Sequence, residues 1–312
     1  MPPIVHRLPL PLLFLGLGLL WTAAAWAVAG VTLVLSDSST AYLEAANSLR
    51  HALEGENQRW RVRVEPLSAR DRARGEDLVI PLGLRALRAV LAEPGRAPVW
   101  ALMVTRPEYE SVAAGQAAAS RRPLSALFLD QPASRQIQML LAALPDTKSL
   151  GVITSGDDAS LTGPLREAAA ARGLNLAVER VARYGDVIAM IENMKERIDL
   201  LLLLPDPLVV DDSILRPLLL ETYRHRLPVM AYSTPLVAAG AMLAVYASPE
   251  QVGREAARRL SRTGKGGRWR LPPPDYAESF EVAVNRSVAL ALDIRVPTSE
   301  LIRRRMARHA GP

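Results

Sequence analysis

Cysteine is absent from the 312-residue chain, and with it disulfides, thiolate chemistry, cysteine-ligated zinc and iron–sulfur clusters. A chain without free thiols also suits an oxidising compartment, where an unpaired thiol is a liability. Histidine is nearly as scarce, at four residues. His6 lies in the apolar N-terminal segment, while His51, His225 and His309 have the character of solvated surface residues, so no HExxH or paired-histidine metal motif exists. There is no GxSxG elbow and no Walker phosphate loop. The glycines of "GLGLL" (Gly16 to Leu20) fall inside the N-terminal apolar run. The carboxylate pairs Asp157-Asp158 and Asp211-Asp212 precede helical patterns, where adjacent acids usually serve as caps. No catalytic residue, metal ligand or cofactor is therefore assigned, and the chain reads as a binding protein rather than an enzyme. Aromatics make up only 5%, and the net charge of +6 is spread along the chain. A nucleic-acid reader concentrates its charge and adds stacking rings, so nucleic acid is not an expected partner.

What is present begins with an address. Met1 to Arg7 carries positive charge, Leu8 to Leu20 is almost wholly apolar, and Ala25-Trp26-Ala27 offers a small-x-small cleavage site. This is the layout of a secretory signal peptide over residues 1–27. An uncleaved anchor is the alternative, because Leu8 to Ala27 approaches the ~20 residues that span a bilayer. No cysteine follows the run for lipid attachment. The mature protein is expected to start near Val28 and to reside in the periplasm.

From there strands and helices alternate. Val31 to Ser36, Asp77 to Gly83, Val99 to Thr105 and Leu124 to Asp130 are strand-like, and Trp60 to Pro66 alternates like an edge strand. Helical stretches cover Thr40 to Glu54 and Leu84 to Leu91. The second half repeats the theme, with strands at Ser149 to Ser155, Leu174 to Val181, Asp199 to Leu204, Pro228 to Ser233 and Ala241 to Ala247. Helices intervene at Ala133 to Leu144, Leu161 to Arg172, Val187 to Glu196, Ser213 to His225 and Pro249 to Arg262. This rhythm implies βαβ units and an α/β fold of two Rossmann-like lobes with parallel sheets. "TGKGGRWRLPPPD" (Thr263 to Asp275) breaks it and reads as a loop crossing between lobes.

In open α/β sheets, ligands bind beyond the carboxyl ends of the strands. There the chain places "SDSST", "TRPEY", "SGDD", "PDP" and "YST". The candidate ligand-binding residues are Ser36, Ser38, Thr40, Thr105, Arg106, Ser155, Asp206, Tyr232 and Ser233. Hydroxyls, helix-start N–H groups, one arginine and one tyrosine suit a small polar or zwitterionic ligand. The competing reading makes each of them a cap for the next helix. Asp206, pinned between Pro205 and Pro207 after five leucines, either meets a ligand amino group or caps the helix near Ser213; its spacing favours the ligand. Arg106 would favour a carboxylate if it points into the cleft.

The order of motifs from Leu127 to Leu260 resembles the ABC-transporter substrate-binding family that includes tryptophan- and tyrosine-binding members. The resemblance rests on "QPASRQIQMLLAALPDTKSLGVITS", "LREAAAARGLNLAVERV", "IDLLLLLPDPLVV" and "LPVMAYSTPLVAAGAMLAVYASPEQVGREAARRL", with "FEVAVNRSVALALDIRVP" near the end. It implies the type I periplasmic-binding-protein architecture with a three-crossing hinge. It also implies a monomer that binds an amino acid or related carboxylate and a membrane permease as partner. Residues 28–126, with 245–275 returning, would form the N-terminal lobe, and 127–244, with 276–312 returning, the C-terminal lobe. Thr105-Arg106-Pro107 departs from the family's Asp-Pro turn. That departure leaves open a sensory or interaction module in the envelope that has lost transport. The basic segment Ser299 to His309, with Leu301, Ile302 and Met306 as apolar members, reads as a last helix packed on a lobe or as a contact for an anionic membrane.

Overall fold

The computed structural model describes residues 29–308 except 56–59, 71–76, 117–121, 156–158, 184, 207–208, 210–211 and 266–267. The signal-like segment with His6, and Asp157, Asp158, Pro207, Asp211 and His309, lie outside the described residues. The first half runs β1 (Ala29–Leu35), α1 (Thr40–Glu54), β2 (Trp60–Pro66), β3 (Leu78–Leu82), α2 (Leu84–Ala92), β4 (Val99–Val104), α3 (Arg106–Gln116) and β5 (Leu124–Phe128). The second half runs α4 (Ala133–Ala143), β6 (Ser149–Thr154), α5 (Ala159–Ala170), β7 (Asn175–Arg180), α6 (Asp186–Met194), β8 (Leu200–Leu202), α7 (Asp212–Arg224), β9 (Val229–Ala231), α8 (Thr234–Ala239) and β10 (Leu243–Tyr246). There follow α9 (Pro249–Thr263), β11 (Gly264–Lys265), β12 (Arg268–Trp269), β13 (Asp275–Tyr276), β14 (Glu281–Val284), α10 (Arg286–Ala291) and α11 (Ser299–Arg308).

The two large sheets have the same plan, β13-β5-β4-β3-β1-β2 and β14-β10-β9-β8-β6-β7. Every pairing within them is parallel except β10 with β14. Parallel sheets need cover on both faces, and the leucine run shows how the residues meet that need. Leu200 to Leu204 are at most 3% exposed. Leu200, Leu202 and Leu204 join the cluster holding α4 and α11, whereas Leu201 and Leu203 join the one holding α6 and α7. Period-two alternation thus feeds two separate cores from one strand. The edge strand β2 is partly exposed, as the alternation of Trp60 to Pro66 implied, and so are the other edges β7, β13 and β14.

The chain passes between sheets three times: after β5, after β10 and between β13 and β14. After the second passage, α9 returns to lie along α1. A Cβ on Gly253 would stand 2.3 Å from the Ala45 carbonyl oxygen and 2.9 Å from the Leu49 nitrogen, so the two backbones nearly touch. The loop expected from Thr263 to Asp275 is corrected in part. Gly264 and Lys265 pair antiparallel with Trp269 and Arg268, two short strands within the stretch expected to be a loop. The prolines that follow lie against β5, where the Ser125 hydroxyl donates to the Pro272 carbonyl.

The last helix packs on a lobe. Ile302 and Met306 are buried, Gln138 Nε2 donates to the Met306 carbonyl at 2.6 Å and Arg305 Nη1 to the Ala142 carbonyl at 2.9 Å. Leu301 departs from expectation: it is 41% exposed, because the buried face of α11 is set by the four-residue step from Ile302 to Met306.

Two glycines separate contact from propensity. Gly253→Val should destabilise the fold by about 1–3 kcal/mol or more, through overpacking of α1 against α9. Gly163→Ala, inside α5 with nothing within 4 Å of the new methyl, should stabilise by roughly 0.5–1 kcal/mol. Urea unfolding of both variants checks this; a neutral Gly253→Val would contradict the close approach.

Candidate functional site

At the carboxyl ends of the strands, beside the first and third passages, both halves contribute to one cavity. Arg106 and Pro107 follow β4, Asp130 and Gln131 follow β5, and Tyr276 belongs to β13. Leu204 and Pro205 come from beyond β8, and α4 and α5 supply the remaining wall. The cavity measures about 30 Å³, room for a water or two. Small-molecule sites run to several hundred Å³ (roughly 300–1,000), so this cavity is well below that size as it stands.

Thr105 and Glu108 form a reciprocal cap on α3. The Thr105 N–H and hydroxyl donate to Glu108 Oε2 at 2.8 and 3.1 Å, and the Glu108 N–H donates back to Thr105 Oγ1 at 3.4 Å. This is the capping box of a T-x-x-E sequence, legible in "TRPE" though not read from it. Arg106 lines the cavity, but its charge is already matched. Its Nε donates to Glu110 Oε1 at 2.6 Å, and Tyr276 supplies a further hydrogen bond. These partners, Glu110 first, raise the guanidinium pKa further. Arg106 thus reaches the cavity, the condition under which it would favour a carboxylate, with Glu110 and Tyr276 already among its partners.

The Arg106 backbone N–H donates to Asp130 Oδ1 at 2.8 Å. Asp130 is 6% exposed, and burial pushes its carboxyl up to about 7, against the lowering effect of hydrogen bonds from the Arg106 N–H and its own. Glu108 raises it further. Across the cavity, burial pushes the Tyr232 hydroxyl up to about 12, with the charges of Glu108, Asp130 and Asp206 adding to the shift. Tyr232 therefore faces carboxylates from both halves.

Asp206 is buried, and its Oδ2 accepts both the N–H and the hydroxyl of Ser155, at 2.7 and 3.0 Å. Its Oδ1 accepts the Val209 N–H at 3.3 Å. It fastens the turn after β6 to the turn after β8, because β6 and β8 are neighbours. Ser36 is likewise internal. Its hydroxyl donates to the Leu82 carbonyl at 2.8 Å and accepts the Ala86 N–H at 3.0 Å. That caps α2 from another strand, since the N-cap itself is Gly83, at φ 90°, with no side chain to offer. Ser38 and Thr40 are exposed at the start of α1, and Ser233 is the half-buried N-cap residue of α8. The cavity lining thus includes Arg106 alone among the nine candidates. Thr105, Ser155, Asp206 and Tyr232 stand behind it through Glu108, Asp130 and one another. Asp130, Gln131 and Tyr276 were not anticipated. Asp130 ends the strand-like run "LSALFLD", and that was its only signal. Tyr276 had none, since it arrives through the last passage.

The passages are tied together. Arg135 Nη1 donates to Gln131 Oε1 at 2.6 Å and to the Ala277 carbonyl at 2.7 Å, joining the first passage to the third, and its guanidinium lies 4.7 Å from the Phe280 ring centre. Buried Glu255 on α9 accepts the N–H groups of Glu278 and Ser279, at 2.9 and 3.3 Å, and the Arg259 guanidinium at 2.7 Å. Far from the cavity, His225 is engaged rather than freely solvated. Its Nε2 lies 2.6 Å from Glu192 and 2.9 Å from Glu221. The Lys195 ammonium stands 2.7 Å from Glu192 and 3.3 Å from His225 Nδ1. That ammonium already supplies the cation, and it holds the Glu192 carboxyl down at about 2; the cluster is an ion-pair network between α6 and α7.

Two α/β sheets of one strand order, three passages between them and a polar cavity where they meet define the type I periplasmic-binding-protein architecture. Residues 74–307 match the family model described as ABC transporter substrate binding protein, and the chain belongs to that family. Among solved structures it is similar to a ligand-free, open substrate-binding protein with adhesive properties from Clostridium difficile (19% identity, TM-score 0.66, covering 88% of this chain and 97% of that one). It is similar also to an ABC domain in complex with L-Trp from Streptococcus pneumoniae (16%, TM-score 0.61, 88% and 97%). A third is a conserved domain protein from Vibrio cholerae (18%, TM-score 0.60, 89% and 98%). No curated protein matches significantly.

Asp130 carries a stability signature. Its folded pKa lies above the unfolded value of 3.8, so the folded state holds the extra proton and stability falls as pH rises from about 4 to about 7. Asp130→Asn keeps an acceptor for Arg106 and removes that penalty. At about pH 8 the variant should exceed the wild type by on the order of a few kcal/mol, and the gap should close near pH 4. Parallel Tm-versus-pH curves for the two proteins would refute the assignment.

Proposed function

We propose that this protein is an exported, periplasmic solute-binding protein that holds an amino acid or related small carboxylate between its two halves and presents it to the permease of an ABC transporter. The observation that carries the reading is the cavity at the passages, walled by both halves and lined by Arg106, Asp130, Gln131 and Tyr276. The lobe bounds expected from the chain, 28–126 with 245–275 and 127–244 with 276–312, shift by a few residues, because β5 runs to Phe128, β10 to Tyr246 and β13 to Tyr276. Ligand contacts from both lobes stabilise the closed form, and hinge motion at the passages admits and releases the ligand. Output is binding rather than catalysis. Family membership supports this, and so does the L-Trp held by the streptococcal relative. Among the described residues no helix is long and apolar enough to cross a membrane, in keeping with a binding domain outside the bilayer.

The small cavity and the engaged Arg106 favour one competitor, an envelope sensory or interaction module that keeps the fold without transport. A thermal-shift panel of amino acids and small carboxylates decides between them. A true ligand at ~100 times its Kd should add about 2.7 kcal/mol to stability and raise the Tm. A flat response across the panel would overturn the solute-binding reading.

A further inference from the structure

Gln131 is 1% exposed, lines the cavity, and its Nε2 meets no acceptor. Its orientation follows from its neighbour: the Arg135 guanidinium can only donate, so it claims Oε1 and leaves the amide nitrogen to the other side. Beside it Asp130 is buried in the same lining. Among the described residues the cation acting on Asp130 is Arg106, which gives Asp130 its backbone N–H while its guanidinium hydrogen-bonds Glu110 and Tyr276. The other groups facing Asp130 are Glu108 from α3, the Tyr276 hydroxyl from β13 and the Tyr232 hydroxyl after β9. None of these neutralises a carboxylate. Two consecutive buried residues at the first passage therefore offer an acceptor in want of a cation and a donor in want of an acceptor.

We propose that Asp130 and Gln131 are the specificity-determining pair, Asp130 receiving a ligand ammonium and Gln131 Nε2 donating to an oxygen of the same ligand. This rests on the solute-binding reading and narrows it to solutes carrying a free amino group next to a hydrogen-bond acceptor. A deaminated acid leaves Asp130 without its cation, and a plain amine leaves Gln131 as it stands. The placement also couples recognition to motion. Both residues sit where the chain passes between halves, and Gln131 is joined through Arg135 to Ala277 of the third passage.

Calorimetric titration tests this with the standard L-α-amino acids, and, for whichever binds, its 2-hydroxy-acid and decarboxylated-amine counterparts. The amino acid should bind about 10–100-fold tighter than the 2-hydroxy acid. Asp130→Asn should erase that preference, and Gln131→Met should weaken the amino acid while leaving the amine unchanged. On the wild type, amino-acid affinity should fall as pH drops through about 7, by roughly tenfold per unit, whereas binding of the 2-hydroxy acid should not. This last arm needs no variant to fold. Equal binding of amino and 2-hydroxy acids, or an unchanged amino-acid Kd in Asp130→Asn, overturns the proposal and leaves solute binding intact. Binding of small carboxylates but of no amino acid overturns it likewise. Failure of every solute overturns both.

Discussion

A parallel strand buried on both faces can present polar groups only at its ends. That constraint governs this molecule. The strands β3, β4 and β8 are wholly buried, so the chain's chemistry collects where they stop. The two sheets bring some of those ends together at one cavity, beside the first and third passages of the chain between them. Burial then acts on whatever polar groups the ends carry. It raises the carboxyl of Asp130 and the hydroxyl of Tyr232, the environment in which recognition groups are commonly found.

The polar residues at the strand ends divide into two kinds. Some complete the scaffold. Ser36 caps α2 from β1, Thr105 and Glu108 cap α3 between themselves, and Asp206 binds the turn at Ser155. Their hydrogen-bonding capacity goes to backbone groups that would otherwise be buried unpaired. The others, Asp130 and Gln131, keep capacity in reserve. A fold that leaves a buried amide nitrogen without an acceptor beside an uncompensated carboxylate bears a cost that capping does not explain. Arg135 and Glu255 work differently again, tying the passages to one another and to α9.

The alternation of strands and helices, the doubly buried leucine strand, the edge position of Trp60 to Pro66 and the helix Thr40–Glu54 were all legible in the chain. They are local or periodic properties, and each is visible within a window of a dozen residues. The candidate site was legible only as a location. Position after a strand made Ser36, Thr105 and Asp206 candidates, but it could not tell a ligand contact from a cap. The "TRPE" capping box was a stronger signal than the arginine beside it.

The amino-acid sequence by itself determined the α/β class, the two-fold repetition of the βαβ theme and the absence of thiol and histidine-metal chemistry. Hydrophobic periodicity and composition need no partner to be read. Only the tertiary structure decided that Arg106 meets Tyr276, that Asp206 serves Ser155, and that Asp130 and Gln131 line the cavity. Those outcomes depend on pairings across tens to more than a hundred residues, set when β6 lies beside β8 and when the last passage lays β13 beside β5. A hydrogen bond is allotted by distance in space, and distance in sequence carries no record of it.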